Sequence, residues 1–292
     1  MKEFCKFNPL IFFLVFFLIA FNISEGSSKE KISWLINHWP PIMELDKSHN
    51  EITGGQYGEQ LLLLQSVLPE YEHLNIDMNW KRFWKGLKKE LSICSCMVYK
   101  NSEREKIAEF STPMTVVLPN QIIMRKETIK NLGNPKSLSL IDLIRNKELK
   151  GVLIENRSYS KDIDKILQTY EKDSNITRSV ISEKSSIKML THKRMDFIIE
   201  YPFVINHAIK QYLPEYKRVL GSVPIKETSL FFYVYVACPK TEWGKKKIIR
   251  INEVLKKIRP DKNFRSKLEL MYDKGQMKLI SKFYDDYLLN EH

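Results

Sequence analysis

Histidine and cysteine are the side chains of this sequence best suited to metal binding or nucleophilic catalysis. The histidines show no paired metal-ligand spacing, and the sequence contains no Gly-x-Ser-x-Gly motif. Cys96 and His38 would supply a nucleophile and a base if the fold brought them together, but we favour a buried or bridged cysteine and a turn histidine. The sequence therefore predicts no catalytic residue, no metal site and no cofactor, and a protein that is not an enzyme.

Three cysteines follow the N-terminal segment, namely Cys94, Cys96 and Cys238. Cys94 and Cys96 lie two apart in a predicted strand, so their Cα atoms would be about 6.6 Å apart, near the limit for bridging each other. We therefore expect Cys238 to bond with Cys94 or with Cys96, and of these two pairings we favour Cys94.

The N-terminal residues have the order of a secretory signal peptide. Lys2 and Lys6 precede an unbroken apolar run at residues 10–21, and small residues two apart follow at Ser24 and Gly26. A helix over that run would rise about 18 Å, short of the hydrocarbon core of about 30 Å. An uncleaved membrane anchor is the alternative. We expect residues 1–26 to be a cleaved signal peptide, which predicts a periplasmic or secreted protein.

Composition favours a folded protein with a substantial core. The chain has 292 residues, of which 43% are hydrophobic and 28% charged, and its formal net charge is +12. The lysines are scattered along the chain, including helices whose other face is apolar, and no nucleic-acid-binding motif accompanies them. The charge therefore favours a solvated surface, and we expect no nucleic-acid partner.

The order of predicted elements indicates two α/β blocks. Each block reads strand, helix, strand, helix, strand, and two long extended segments, at residues 115–124 and 230–237, join the blocks. We therefore expect a two-lobed α/β fold with a two-stranded hinge and a ligand cleft between the lobes. The predicted first lobe comprises residues 27–118 and 237–292, and the predicted second lobe comprises residues 119–236.

A series of short motifs resembles the bacterial extracellular solute-binding proteins of family 3, which serve polar amino acid transporters. The matching segments, in chain order, are Trp-Pro-Pro at 39–41, the glycines at 55–58, Trp-x-x-Leu at 84–87, the turn at 101–104, Phe-Ser-x-Pro at 110–113, the strand and turn at 151–159, Arg-x-Asp at 194–196, and the segments at 235–240 and 252–255. The match spans nearly all of the chain after the signal peptide, and it implies the type II periplasmic-binding-protein fold.

The resemblance implies ligand-binding roles for three residues. In that family the arginine of the turn binds a ligand carboxylate through paired hydrogen bonds, and Arg104 occupies its position here; a surface ion pair with Glu103, Glu105 or Glu109 is the alternative. Trp39 would stack on the ligand or serve as a core residue. Ser158 and the amides after it would bind an anion or simply cap a helix.

Departures from the family pattern affect the expected ligand. Alternate positions before the arginine turn, often Ser or Thr in amino acid binders, are Met97 and Tyr99 here. The position of the family's amine-binding acid is Tyr201, with Glu200 one residue earlier and expected to face away. The expected pocket is aromatic, and the residues predicted to line it are Trp39, Tyr99, Tyr159 and Tyr201, with Arg104 or Arg157 available for an anionic group. This pattern favours an acidic or aromatic solute.

Three functions from different classes fit these features. The first is an exported solute-binding protein, a monomer that closes on a small polar or anionic solute and serves an ABC transporter permease or a membrane sensor. The second is an enzyme, a lyase or hydrolase, that reuses the two-lobed fold. The third is a basic exported protein that adheres to an anionic surface, whose binding would collapse with salt. The series of motifs favours the first.

Overall fold

The structure is a computed structural model that describes residues 29–46, 51–155, 157–170 and 175–290. The predicted signal peptide at residues 1–26 lies outside these ranges. Within them, no helix combines the length and the apolar character needed to cross a membrane.

Strands and helices alternate along most of the chain. The strands are β1 (Glu30–Ile36), β2 (Glu44–Leu45), β3 (Ile52–Gly54), β4 (Tyr71–Asp77), β5 (Ile93–Val98), β6 (Ala108–Phe110), β7 (Thr115–Val117), β8 (Gln121–Arg125), β9 (Gly151–Ile154), β10 (Ile176–Ser179), β11 (Phe197–Glu200), β12 (Leu220–Pro224) and β13 (Phe232–Pro239). The α-helices are α1 (Gln56–Ser66), α2 (Trp80–Lys88), α3 (Ser102–Glu105), α4 (Lys126–Asn131), α5 (Leu140–Arg145), α6 (Lys161–Tyr170), α7 (Glu183–Thr191), α8 (Pro202–Tyr212), α9 (Glu242–Ile258), α10 (Lys262–Ser266) and α11 (Lys274–Phe283). A π-helical turn follows at Tyr284–Leu288.

Two mixed sheets organise these elements. The first has the order β4-β1-β5-β13-β6, with β7 also pairing β13, and the second has the order β10-β9-β11-β8-β12. In the first sheet β1 and β5 are parallel while β13 runs antiparallel to its neighbours. In the second sheet β10, β9 and β11 are parallel and β8 is antiparallel. Each sheet with its helices forms one lobe of an α/β two-lobed fold.

The chain passes between the sheets at two places. It leaves the first sheet after β7 and enters the second at β8, then leaves after β12 and returns at β13. Pro119 and Asn120 separate β7 from β8, so the extended segment predicted at residues 115–124 is interrupted there. The lobe boundaries at residues 118 and 236 stay predictions, although β13 pairs along its length with strands of the first sheet.

Alternation of side chains along the strands builds a core on both faces of each sheet. On β1, Trp34 and Ile36 pack into the cluster that contains α1 and α9, whereas Leu35 packs into the cluster that contains α2. On β8, Ile122 packs with α5 and α6, while Ile123 packs with α7 and α8. Because both faces of each sheet are buried, the orientation of each strand is fixed, and so is the position of the residues that follow its end.

A disulfide bond joins Cys94 on β5 to Cys238 on β13, the pairing that the sequence favoured. The two strands are neighbours in the first sheet, and the Cα atoms of the two cysteines are 4.3 Å apart. The bond links parts of the chain that are 144 residues apart, so it restricts the unfolded chain strongly. Cys96 is the free thiol among the described cysteines, and it is fully buried.

We expect the Cys96 thiol to resist alkylation in the native protein. Burial raises its pKa to about 12, so at pH 8 the reactive thiolate is nearly absent and reagents have no access. Iodoacetamide treatment of the mature chain at pH 8, followed by intact-mass measurement, should give no adduct without denaturant and one adduct with it. Rapid labelling of the folded protein would contradict the buried position.

Gly244 sits where α9 begins against the end of β13. Its amide donates to Oγ1 of the helix N-cap Thr241 at 3.2 Å, and a Cβ at this position would lie 1.9 Å from the carbonyl oxygen of Pro239. We therefore expect Gly244→Ala to lower the free energy of unfolding by about 1–3 kcal/mol, measured by urea denaturation. Gly275→Ala, also in the first turn of a helix but with space for a Cβ, is the matched control and should not destabilise.

Candidate functional site

The residues of the candidate site follow the carboxyl ends of strands in both sheets. Trp39 comes three residues after β1, and Tyr99 comes directly after β5. Arg157 comes three residues after β9, and Tyr201 comes directly after β11. Since the carboxyl ends of parallel strands meet at one edge of a sheet, each lobe presents its two residues together.

These residues line one cavity of about 550 Å³, a size suited to a small molecule. Among the residues predicted from the sequence, those that line it are Trp39, Tyr99, Arg104, Arg157, Ser158 and Tyr201. The cavity is therefore bounded by side chains from both lobes, as the sequence predicted for an interlobe cleft.

Arg157, which lines the cavity, forms a buried ion pair with Glu200. Both guanidinium NH groups of Arg157 donate to the Glu200 carboxylate, one of them at 2.6 Å, and Nη2 also donates to Oδ1 of Asn120 at 3.2 Å. The side chains are only 12% and 2% exposed, respectively. Burial alone would lower the pKa of Arg157, but attraction and hydrogen bonds to Glu200 raise it above its usual value. The arginine is therefore charged at any accessible pH.

The same guanidinium is surrounded by aromatic rings. Its central carbon lies 4.8 Å from the ring centroid of Trp39, 5.0 Å from that of Tyr159 and 5.6 Å from that of Tyr201. Trp39 belongs to the first lobe, whereas Arg157 and both tyrosines belong to the second. Cation–π attraction therefore connects the two lobes at this point.

A pair of tyrosines makes a second connection between the lobes. The hydroxyl of Tyr99 hydrogen-bonds to the hydroxyl of Tyr201, and the ring of Tyr201 lies 6.1 Å from that of Trp39. Burial raises the pKa of both tyrosines, so both hydroxyls remain protonated. In the family pattern this position holds the acid for a ligand amine, so the tyrosine pair offers no anion for such a group.

Arg104 places a guanidinium group on the first-lobe side of the cavity. Nη1 donates to the carbonyl oxygen of Tyr99 at 2.7 Å, and the guanidinium lies 4.5 Å from the ring centroid of Trp84. The structure shows no carboxylate within ion-pair distance of Arg104 in the described part of the chain; Glu103 pairs with Lys106 instead. Burial lowers the pKa of Arg104, and the charge of Asp164 partly offsets this effect. The structure therefore does not contain the surface ion pair that was the predicted alternative role of Arg104.

Glu183 places a carboxyl group on the second-lobe side. It is the first residue of α7, and it lines the cavity without an ion-pair partner in the ranges that the structure describes. Burial and the charge of Glu200 raise its pKa. The cavity therefore has a cation on one side and a carboxyl group on the other.

Two predicted residues have other roles than expected. The Ser158 hydroxyl donates to Oδ2 of Asp164 at 2.5 Å, and the Tyr159 amide donates to Oδ1 at 2.9 Å, so this carboxylate already occupies the expected anion site. The serine that bonds a helix amide is Ser160, which accepts from Ile163 at 3.3 Å. Tyr159 is fully buried in the core of the second lobe, where its hydroxyl accepts from the Ile154 amide at 2.8 Å.

The sequence reasoning did not assign Trp80, Trp84 or Glu183 to the cavity, which they line. A signal for the tryptophans was present, since they are four apart on α2 and therefore share a helix face. Glu183 had no comparable signal, because its position depends on where α7 begins relative to the other lobe.

The one pair considered for nucleophilic catalysis is not assembled. Cys96 is buried in the first-lobe core, whereas His38 lies at the cavity and its Nδ1 accepts from the Leu45 amide at 3.1 Å. Across the described residues, no group of three acids, histidines or cysteines is placed to hold a metal ion.

Comparisons with known proteins identify the fold. No protein-family model and no curated protein sequence matches the chain. A histidine kinase sensor domain with similarity to periplasmic binding proteins matches with a TM-score of 0.64 at 14% identity, over 84% of this chain and 96% of that one. A putative L-cystine ABC transporter protein from Listeria monocytogenes matches with a TM-score of 0.61 at 20% identity, over 83% and 95%.

A third structure comes from work on glutathione import in Gram-positive bacteria via GshT and the cystine ABC importer TcyBC of Streptococcus mutans. It matches with a TM-score of 0.63 at 16% identity, over 85% of this chain and 100% of that one. These neighbours agree with the resemblance to solute-binding family 3, and at such identities they show the fold, which is the predicted two-lobed periplasmic-binding-protein-like fold.

Proposed function

We propose that this chain, with its two-lobed periplasmic-binding-protein-like fold, is an exported solute-binding protein. It captures a small polar or anionic solute in the cavity between its lobes by hinge closure and presents the closed form to a membrane transporter or sensor. We expect it to act as a monomer in the periplasm or outside the cell. Support for a transporter or sensor comes from the neighbours, which include an ABC transporter protein and a kinase sensor domain.

The observation that carries this proposal is the position of Arg104. A guanidinium that stacks on Trp84 and donates one bond to Tyr99 keeps its remaining N–H donors for a guest. Its planar fork matches a carboxylate or phosphate through two parallel hydrogen bonds. The aromatic faces of Trp84 and Trp80 on the same helix provide apolar area beside this charge.

The test is to identify the solute and measure its binding. The mature chain is purified from the exporting host, and small molecules released on denaturation are identified by mass spectrometry. Calorimetry with each compound should give one saturable site for an anionic solute, with a modest dependence on salt. If nothing binds, or if binding collapses between low and moderate salt as for surface adhesion, the proposal is wrong.

A further inference from the structure

We propose that Arg157 is an internal guest: it fills a guanidinium subsite of this cavity, so that the solute is left with the part of the cavity beside Arg104. The inference rests on the proposed function, because it specifies which part of the same cavity is open to a solute. It is carried by the contacts of Arg157 with Glu200 and Trp39.

The surroundings of Arg157 form a complete recognition site for a guanidinium ion. A carboxylate that accepts two parallel N–H bonds is the strongest partner for this group, and flat aromatic faces add cation–π attraction. Glu200 supplies the carboxylate, with one bond at 2.6 Å, and Asn120 accepts a further bond at 3.2 Å. Trp39 and Tyr201 supply the faces. A guanidinium-bearing guest would need these same groups.

The charge of the Glu200 carboxylate is already paired within the protein. Beyond its two bonds from Arg157, Oε1 accepts from the Tyr201 amide at 2.7 Å. Since the side chain is 2% exposed, a solute reaches it only by displacing Arg157. Glu200 therefore pairs with the protein's own cation. Other charged residues line the cavity as well, among them Lys81, Arg104, Glu155 and Glu183.

The internal guest also contacts the opposite lobe. The guanidinium is held by second-lobe groups and lies 4.8 Å from the ring centroid of Trp39, which follows β1 of the first sheet. In a two-lobed binding protein a guest favours the closed form because it contacts both lobes at once. Arg157 is part of the chain itself, so these contacts need no solute and would supply part of the closing free energy.

The test is chemical rescue of Arg157→Ala by methylguanidinium. The substitution removes the guanidinium and leaves Glu200 buried without its cation, so the melting temperature should fall. Methylguanidinium should raise the melting temperature of Arg157→Ala with the logarithmic concentration dependence of one-site binding, by about 3 °C at a tenfold excess over its Kd. Methylammonium at equal concentration, which carries the same charge without the planar fork, should not. Neither ion should raise the melting temperature of the wild-type protein.

Two further variants control the experiment. Arg145→Ala removes an exposed arginine that stacks on Tyr170 with its guanidinium 5.1 Å from the ring centroid, and it should show no rescue. Arg157→Ala combined with Glu200→Gln should lose the rescue, since the receiving carboxylate is gone. If Arg157→Ala does not fold alone, its refolding yield in methylguanidinium against methylammonium gives the same readout.

The proposal is overturned if Arg157→Ala, in melting or refolding, responds equally to the two ions. It is also overturned if wild-type protein binds methylguanidinium saturably, or if the double variant is still rescued. These results are separate from the solute measurement. If rescue fails but a solute binds, only the proposal that Arg157 is an internal guest is wrong. If rescue succeeds but no solute binds, only the proposed function is wrong.

Discussion

Replacing Glu200 with alanine is expected to lower the free energy of unfolding by about 3–5 kcal/mol. The substitution leaves the Arg157 guanidinium in a wall of the cavity where its side chain is 12% exposed, and among the described residues Asn120 is its remaining hydrogen-bond acceptor. An uncompensated charge at such a site costs far more than the pair contributes, because water cannot replace the lost carboxylate. Equilibrium urea denaturation of the mature chain measures the effect.

The matched control for this prediction is Glu155→Ala. Glu155 is an exposed acid at the edge of the same cavity, so its loss should change stability by no more than about 0.5 kcal/mol. Changing Arg157 to Met and Glu200 to Leu together should be much less harmful than Glu200→Ala alone, because neither charge then remains buried. A loss below about 1 kcal/mol for Glu200→Ala would show that the pair is open to solvent.

The second large effect concerns solute binding. We expect Arg104→Ala to weaken the affinity for the identified solute by about 10- to 100-fold, because hydrogen bonds to a charged group contribute about 1.5–3 kcal/mol. Arg104→Lys should give an intermediate loss, since lysine keeps the charge but not the planar fork that stacks on Trp84. Calorimetric titration of each variant, with folding checked by circular dichroism, measures this.

Arg82→Ala is the control for the affinity prediction. Arg82 is an exposed arginine on α2 that does not line the cavity, so its removal changes the net charge equally without touching the site. Its affinity should stay within twofold of the wild-type value. If Arg104→Ala and Arg82→Ala lose affinity equally, the solute responds to overall charge and Arg104 is not its partner.

The parts of the fold that follow from local pattern could be predicted from the sequence. Alternation of apolar residues and the order of strands and helices gave the two α/β blocks, and the extended segments between them gave the two crossings. The four-residue spacing of Phe83, Leu87 and Leu91 predicts a helix that is one turn longer than α2, which ends at Lys88 and leaves Leu91 55% exposed. The backbone turns at Glu90, whose φ of 59° is left-handed, and no glycine marks that turn.

The position of a site residue could be predicted only where that residue directly follows a strand. Tyr201 directly follows β11 and lines the cavity. Glu200 was expected to face away, but its carboxylate binds the guanidinium of Arg157, which lines the same cavity. Where Glu200 points depends on Arg157, which is 43 residues away in the chain, and no local pattern encodes that pairing. Tyr159 was misplaced for the same reason, since its burial depends on how α6 packs over the second sheet.

The bond between Cys94 and Cys238 closes residues 94–238 into a covalent ring. Every strand of the second sheet, from β8 to β12, lies between these two cysteines in the chain. The second lobe is therefore part of a covalent ring that a disulfide bond in the first lobe closes. A protease that cuts this ring once leaves a single particle of unchanged mass, apart from one water, until a reductant separates the halves. A single proteolytic cut in an exposed loop of the second lobe therefore releases no fragment while the disulfide bond is intact.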